Sequence, residues 1–403
     1  MALLSQTEPI PMRKNATYVK LLSAQVVSLI GTGISTLTLA LLAWDIAGEE
    51  ASAVLGIAFA LKMIAYVGLA PVFGAIAHKL PRKPAMITLD LLRAAFIMFL
   101  PFVTDTWQIY MLVFCINACS AGFTPLYQST LPAVLPDENQ YLRALSFSRL
   151  AYDLEQIVSP LLTASLLVVL GFRQLFILNA FTFLLSAILL MICVFPLIKA
   201  TPPCHRGPLN QPKYGMQSYL STPRLRALWI GYLAASAASA MVIVNTVVYV
   251  NQVLVGGEQE TALAMAVVGF GSMVVAMKLP KWLEGKKLRS FMLLGSTMIV
   301  TAFLIATQLP GWYGFIWVCL LFGAGMSFIQ TPAGVLITRS CQEEDATAFF
   351  AAHFSLTHLW WLFTYLLAGW SAVMLGLSAA YWVMGVLCLC SLLAVYRWFP
   401  KED

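Results

Sequence analysis

Six charged side chains, Lys62, Asp90, Arg93, Arg149, Asp153 and Glu155, sit inside stretches that are otherwise apolar. A charge deep in hydrocarbon costs about 3 kcal/mol or more unless it is paired or wet, so these residues are candidates for ion coupling or for recognising a charged substrate. Asp90 and Arg93 are three residues apart and Arg149 and Asp153 four, so each couple can pair along one face of a helix. Such pairs either staple helices together or take part in ion movement. Glu155 falls on a different face from Arg149 and Asp153 and has no partner close to it in sequence. It either pairs with Lys62 across helices or takes up a proton. Asp153 and Glu155 head the candidates for ion coupling, with Lys62, Asp90, Arg93 and Arg149 as their partners. A carboxylate-rich substrate favours Lys62 or Arg149 as its counter-charge, whereas a cationic one favours Asp153 and Glu155.

The second half of the chain has no Lys, Arg, Asp or Glu deep in an apolar stretch, but it carries His353 and His358. A five-residue spacing does not place two histidines on one helix face, so they read as packing or hydrogen-bonding groups and not as a metal site. Uncharged polar residues form a second pattern. Gln25, Ser28, Thr32, Ser35 and Thr36 mark the first apolar stretch, and Asn117, Ser120, Tyr127 and Gln128 the fourth. Ser236, Ser239, Asn245, Thr246 and Tyr249 mark the seventh, and Ser327, Gln330 and Thr331 the tenth. These are equivalent stretches in the two halves. Gln25, Asn117, Gln128, Asn245, Tyr249 and Gln330 are therefore candidates for substrate contact near the midplane, although small polar residues also serve dry helix contacts.

The elements that must position these groups are membrane spans. Of 403 residues 60% are hydrophobic and only 10% charged, a balance that excludes an ordinary soluble domain. Crossing about 30 Å of hydrocarbon takes roughly 20 apolar residues. Twelve such runs are expected, at about 19–44, 52–78, 84–103, 107–134, 141–170 and 172–198, then 225–251, 260–278, 289–308, 312–338, 346–372 and 377–398. No alternating ten-residue pattern appears, so a helical bundle is expected and not a β-barrel.

Twenty of the 24 lysines and arginines fall in the termini, the central loop and the even-numbered turns, while the opposite side carries Arg173 alone. The positive-inside rule then places both termini and the centre of the chain in the cytoplasm. The net charge of +6 reads as a topogenic signal and not as a nucleic-acid surface. Residues 1–18 are polar and contain no signal-peptide core. The eight cysteines fall in spans or on the cytoplasmic side, where disulfides are not expected, and Cys115 with Cys119 reads as small-residue packing.

Lys79-Leu80-Pro81-Arg82 recurs as Lys278-Leu279-Pro280-Lys281, 199 residues later, each copy read as a basic turn after the second span of its half. Two copies of one six-span unit follow, 1–198 and 224–403, joined by a Pro- and Gly-containing polar linker at 199–223. That linker is too short for a nucleotide-binding domain, and no Walker-type loop occurs. Gly122 to Pro125 in the fourth span and Gly325 to Pro332 in the tenth are expected to kink their helices, as is Ser159-Pro160 in the fifth.

Over essentially the full chain these residues resemble the major facilitator superfamily. Gly74-Ala-Ile-Ala-His78-Lys79-Leu80-Pro81-Arg82-Lys83 is similar to that family's motif A, a basic turn that latches the two bundles; the resemblance makes Gly74, His78, Arg82 and Lys83 a candidate conformational latch. Leu89-Asp90-Leu-Leu-Arg93-Ala, Ser120-Ala-Gly-Phe-Thr-Pro125 and Ser159-Pro160 look like the macrolide-efflux and enterobactin-exporter branch. Three features depart from the family's patterns. His78 replaces the usual Asp of motif A, Asn117 and Ala118 stand where proton-coupled drug exporters carry arginine, and the antiporter signature is reduced to Ser159-Pro160.

The resemblance implies an all-α membrane protein of two six-helix pseudo-symmetric bundles, monomeric, in a bacterial inner membrane. It would move an amphipathic small molecule, drug-like or a siderophore, by alternating access, with protons as the coupling partner and no cofactor or metal. Import or uniport of a siderophore or small metabolite is the alternative. A non-transporting membrane receptor would call for extra cytoplasmic domains, and a membrane enzyme for an intramembrane catalytic cluster; neither pattern occurs in the sequence.

Overall fold

The computed structural model describes residues 14–76, 81–135, 140, 144, 147–148, 151, 155, 158–159, 162–195, 210–282, 287–341 and 346–400. In these residues the first half supplies helices α1 (Ala16–Ala47), α2 (Ala51–Ile76), α3 (Arg82–Phe99), α4 (Thr106–Val134) and α5 (Phe172–Met191). The fifth expected span is described only in part. A short helix α6 (Asn210–Ser221) stands where the polar linker was expected. The second half then supplies α7 (Pro223–Ala240), a π-helical turn at Met241–Asn245, α8 (Thr246–Gln252), α9 (Glu258–Trp282), α10 (Leu288–Ala306), α11 (Trp312–Gln330), α12 (Ala333–Thr338), α13 (Ala346–Leu375) and α14 (Leu377–Trp398). Among the described residues ten stretches are long and apolar enough to cross a membrane, the first of which, Ala16–Leu69, runs through two consecutive helices.

Local chemistry sets several of these helix ends. Asn15 caps α1 by accepting from the Tyr18 backbone N–H at 3.1 Å, and its Nδ2 donates to the Val134 carbonyl at 3.0 Å. One side chain thus starts the first helix and ties it to the end of the fourth. At the start of α4, Gln108 Oε1 accepts from the backbone N–H groups of Thr104 and Asp105. Arg173, the lone basic residue assigned to the outside, pairs with Asp45 at 2.8 Å and donates to the Pro101 carbonyl at 2.6 Å. It clasps the ends of three spans.

The same pattern of helix pairs occurs twice. In the first half α1 packs on α5, α2 on α4, α3 on α4 and α3 on α5; in the second, α7 packs on α14, α9 on α11, α10 on α11 and α10 on α14. These are equivalent spans, so the repeat read from one short motif is a repeat of architecture. The motif copies themselves differ from expectation. Lys278-Leu279-Pro280-Lys281 is not a free turn but the end of α9, which runs on to Trp282 because Leu279 is buried and Trp282 stacks on Phe328. In the first copy, Pro81 precedes α3. Of the three expected kinks, the one at Ser159-Pro160 reaches outside the described residues, and the other two differ from each other. α4 runs unbroken through Pro125, whereas α11 stops at Gln330 and restarts beyond Pro332.

Among the described residues the halves meet chiefly through α2 and α13. At the end assigned to the outside, glycines let the backbones touch: a Cβ on Gly56 would come within 2.7 Å of the Tyr365 carbonyl, and one on Gly369 within 3.2 Å of the Gly56 Cα. Further along, Phe59 stacks on Tyr365, and Tyr66 meets Phe354 and His358 edge-on. Helix α6 docks on the base of α13, where the Tyr219 hydroxyl lies 2.7 Å from His353 Nδ1. Burial pushes the Tyr219 hydroxyl well above the ordinary tyrosine value. Tyr219 therefore stays a neutral hydroxyl beside the imidazole.

Candidate functional site

A cavity whose empty space, counting the part open to its surroundings, amounts to about 510 Å³ is lined entirely from the first half. Helix α1 contributes Thr32, Ser35 and Thr36, α2 contributes Lys62, and α4 contributes Asn117 and Ser120; Phe59, Ile97, Val113 and Phe183 supply much of the apolar wall. Position along the helices explains the grouping. Phe59, Lys62 and Tyr66 are spaced by three and four residues, so they share one face of α2, and the Lys62 ammonium lies 5.7 Å from the Phe59 ring and 5.9 Å from that of Tyr66.

Lys62 has no hydrogen bond or close ion pair among the described residues, and Glu155 is the carboxylate whose field reaches it. Glu155 reaches this neighbourhood because Gly33 has no side chain. A Cβ there would come within 2.6 Å of Glu155 Oε1. The arrangement combines a cation, a carboxylate, hydroxyl groups and an apolar wall in one membrane-embedded site. It can hold a polar molecule and respond to the protonation of one carboxyl.

The other deep charges have a different setting. Asp90 and Arg93 form an ion pair, and Asp90 also accepts from Ser186 Oγ at 2.7 Å. Arg93 reaches Ser28 Oγ at 3.4 Å and lies between the rings of Phe123 and Phe183, 4.5 Å from each. Both residues are almost wholly buried. The pair links α1, α3, α4 and α5 and does not line the cavity. Arg149 and Asp153 lie outside the described residues.

Among the candidate substrate contacts, Asn117 lines the cavity. Gln25 instead accepts from Ser148 Oγ at 3.0 Å, holding the first span against the fifth. Asn245 sits in the π-helical turn of the seventh span, fully buried, and donates to the Ala368 carbonyl at 3.3 Å. Tyr249 donates to the Pro310 carbonyl at 2.7 Å and stacks on Phe315 with ring centres 4.0 Å apart. Gln330 is half-buried at the end of α11, and the Gln128 side chain lies outside the described residues. Polarity alone did not distinguish a cavity wall from a helix brace, since both place a polar atom inside the bundle.

Of the candidate latch, Gly74 lies in α2, His78 falls outside the described residues, and Arg82 opens α3. Lys83 donates to the carbonyls of Met191 and Cys193, each at 2.7 Å, and so caps the end of α5 within its own half. No cluster of three or more His, Cys, Asp or Glu side chains able to hold a metal occurs among the described residues. The apolar wall of the cavity went unnamed in the sequence, although the spacing of Phe59, Lys62 and Tyr66 is a signal that marks one face of α2.

An all-helical, multi-span bundle with a one-sided polar cavity is the architecture of a membrane transporter. The chain belongs to the Major Facilitator Superfamily, whose pattern matches residues 21–365, a family of transporters and not of enzymes. It is 26% identical to the uncharacterized MFS-type transporter YfiS of Bacillus subtilis (strain 168) over 381 residues, 92% of this chain and 90% of the relative. A shorter match, 28% over 166 residues, covers 40% of this chain and 38% of the multidrug resistance protein MdtG of Enterobacter lignolyticus (strain SCF1). Among solved structures it resembles a bacterial homolog of the human lysosomal transporter Spinster, inward-facing and unoccupied, with TM-score 0.76, 12% identity and 96% and 98% of the two chains covered. A point mutant of the nucleoside transporter NupG matches with TM-score 0.75 and 10% identity over 95% and 99%.

Proposed function

We propose that this transporter exports an amphipathic small molecule, drug-like or a siderophore, by alternating access, in exchange for protons. The single observation that carries the reading is the membrane-embedded Lys62 facing a polar cavity with Glu155 in electrostatic reach. In this cycle proton binding at Glu155 and substrate binding beside Lys62 exclude one another: a proton taken up from outside accompanies release of the substrate there, and its loss inside readies the site for the next substrate. Asp153 and Arg149 are assigned to the same relay, and Asp90 with Arg93 to the frame that holds it. The partial likeness to a protein named for multidrug resistance supports the outward direction, as does the resemblance of Gly74 to Lys83 and Ser120 to Pro125 to the macrolide-efflux and enterobactin-exporter branch. The protein acts as a monomer in a bacterial inner membrane, with both termini in the cytoplasm.

Reconstitution into liposomes tests this. An imposed pH gradient is expected to drive solute movement in the wild type, and Glu155→Gln to abolish the gradient-driven component while leaving solute exchange intact. Movement that ignores the gradient in both proteins would replace export with uniport, and gradient-driven flow in the same direction as the protons would replace it with import.

A further inference from the structure

The hydrogen-bond directions in the cavity specify the chemistry of its occupant. Thr32 donates to the Ser28 carbonyl at 3.0 Å, Thr36 to the Thr32 carbonyl at 3.2 Å, and Asn117 Nδ2 to the Val113 carbonyl at 2.7 Å. The hydroxyl protons of both threonines are therefore committed to the helix backbone, so that at this cavity wall their oxygens, like the Asn117 carboxamide oxygen, can serve only as acceptors. Ser35 is the exception. It accepts from Asn179 Nδ2, so its own proton is available. Lys62 adds an ammonium with three donors and no hydrogen-bond partner among the described residues. Among the described residues no acidic side chain lines the cavity, and Glu155 acts on Lys62 from outside its lining.

We infer that the cavity binds an organic anion with an apolar, ring-like body that carries hydroxyl or amide donors of its own. Its anionic group meets Lys62 and Ser35, its donors meet the oxygens of Thr32, Thr36 and Asn117, and its body lies against Phe59, Ile97, Val113 and Phe183. Cations are disfavoured because Lys62 faces them with no lining carboxylate to compensate. Neutral amphiphiles offer the Lys62 ammonium no charge-assisted hydrogen bond. The inference rests on the transport reading but concerns binding alone, so the two can fail separately.

The test uses the purified full-length chain and four matched probes: hydroxynaphthoate, methoxynaphthoate, hydroxynaphthamide and hydroxynaphthylmethylammonium. Equilibrium binding by calorimetry is expected to favour hydroxynaphthoate over the amide by about tenfold or more, the loss typical of one charge-assisted hydrogen bond. Replacing the hydroxyl by methoxy is expected to weaken binding about fivefold. Lys62→Met should bind acid and amide equally, Lys62→Arg should keep the preference for the acid, and Thr36→Val with Asn117→Leu should remove the preference for hydroxyl over methoxy. Each variant is compared at matched thermal stability and elution profile. Equal binding of acid and amide, tighter binding of the ammonium, or no binding of any probe by the wild type would overturn the inference. Selective binding without proton-driven movement sinks the transport cycle alone, and proton-driven movement of a cation unaffected by Lys62→Met sinks the anion assignment alone.

Discussion

At the residue scale, two kinds of buried charge coexist within one half of the molecule. Asp90 and Arg93 pair with each other, with the hydroxyls of Ser186 and Ser28 and, for Arg93, with two aromatic faces, and they do not line the cavity. Removing one partner of such a pair leaves the other buried without compensation, which costs about 3–5 kcal/mol, whereas replacing both by apolar groups is often neutral. Asp90→Asn or Arg93→Leu alone is expected to lower the thermal unfolding temperature sharply in detergent, and the double variant Asp90→Leu with Arg93→Met to recover most of it. Unchanged melting in the single variants, with transport lost, would move the pair into the coupling machinery. Lys62 contrasts with them, since its ammonium faces the cavity. The type and spacing of Asp90 and Arg93 could be read directly, but nothing local to the sequence separates a stapled charge from an available one. That distinction depends on Ser186 and Phe183, about 90 residues away in the chain.

At the element scale, the seam between α2 and α13 is the main contact between halves among the described residues. Its closest point is the Gly56 and Gly369 crossing, where backbones meet without intervening side chains. A larger side chain there has nowhere to go, because the neighbouring atoms are backbone and cannot rotate away. Gly56→Leu or Gly369→Leu is therefore expected to part the outer ends of the two helices and favour the outward-open state. Spin labels at those ends should report a longer distance than in the wild type; an unchanged distance would show that the seam does not gate that side. Neither glycine stood out in the sequence, since an apolar span contains many. The π-helical turn at Met241–Asn245, which packs against α13, was equally hidden, because no Pro or Gly in the segment marks it. Linker helix α6 was read only as polar chain. Its buried Tyr219 finds a partner in His353, 134 residues later.

At the scale of the whole molecule, the two halves share an architecture but not a chemistry. Equivalent helices pair in both, yet the buried polar side chains of the second half are all uncharged among the described residues. Its interior is instead aromatic, with Tyr249, Phe315, Tyr381 and Phe303 in one contact network. Such a division suits a moving frame that closes over a site held by its partner. The distribution of basic residues argues for one orientation of that frame, with both termini in the cytoplasm. A C-terminal reporter that works only in the cytoplasm is expected to be active, and one that works only outside the membrane to be silent. The reverse result would invert the assignment of the Gly56 seam to the external side.

By itself the sequence determined that this protein spans the membrane many times, that its helices come as a repeated set, and that its deep charges are confined to one half. Those properties depend on composition, length of apolar run and residue identity, each of which is local along the chain. Only the tertiary structure decided which polar groups face the cavity and which brace a helix. Asn117 and Tyr249 look alike as polar residues in apolar helices, but one lines the site and the other donates to the Pro310 carbonyl. The physical reason is that a buried polar atom must find a partner, and whether that partner is protein or substrate depends on which helices pack around it.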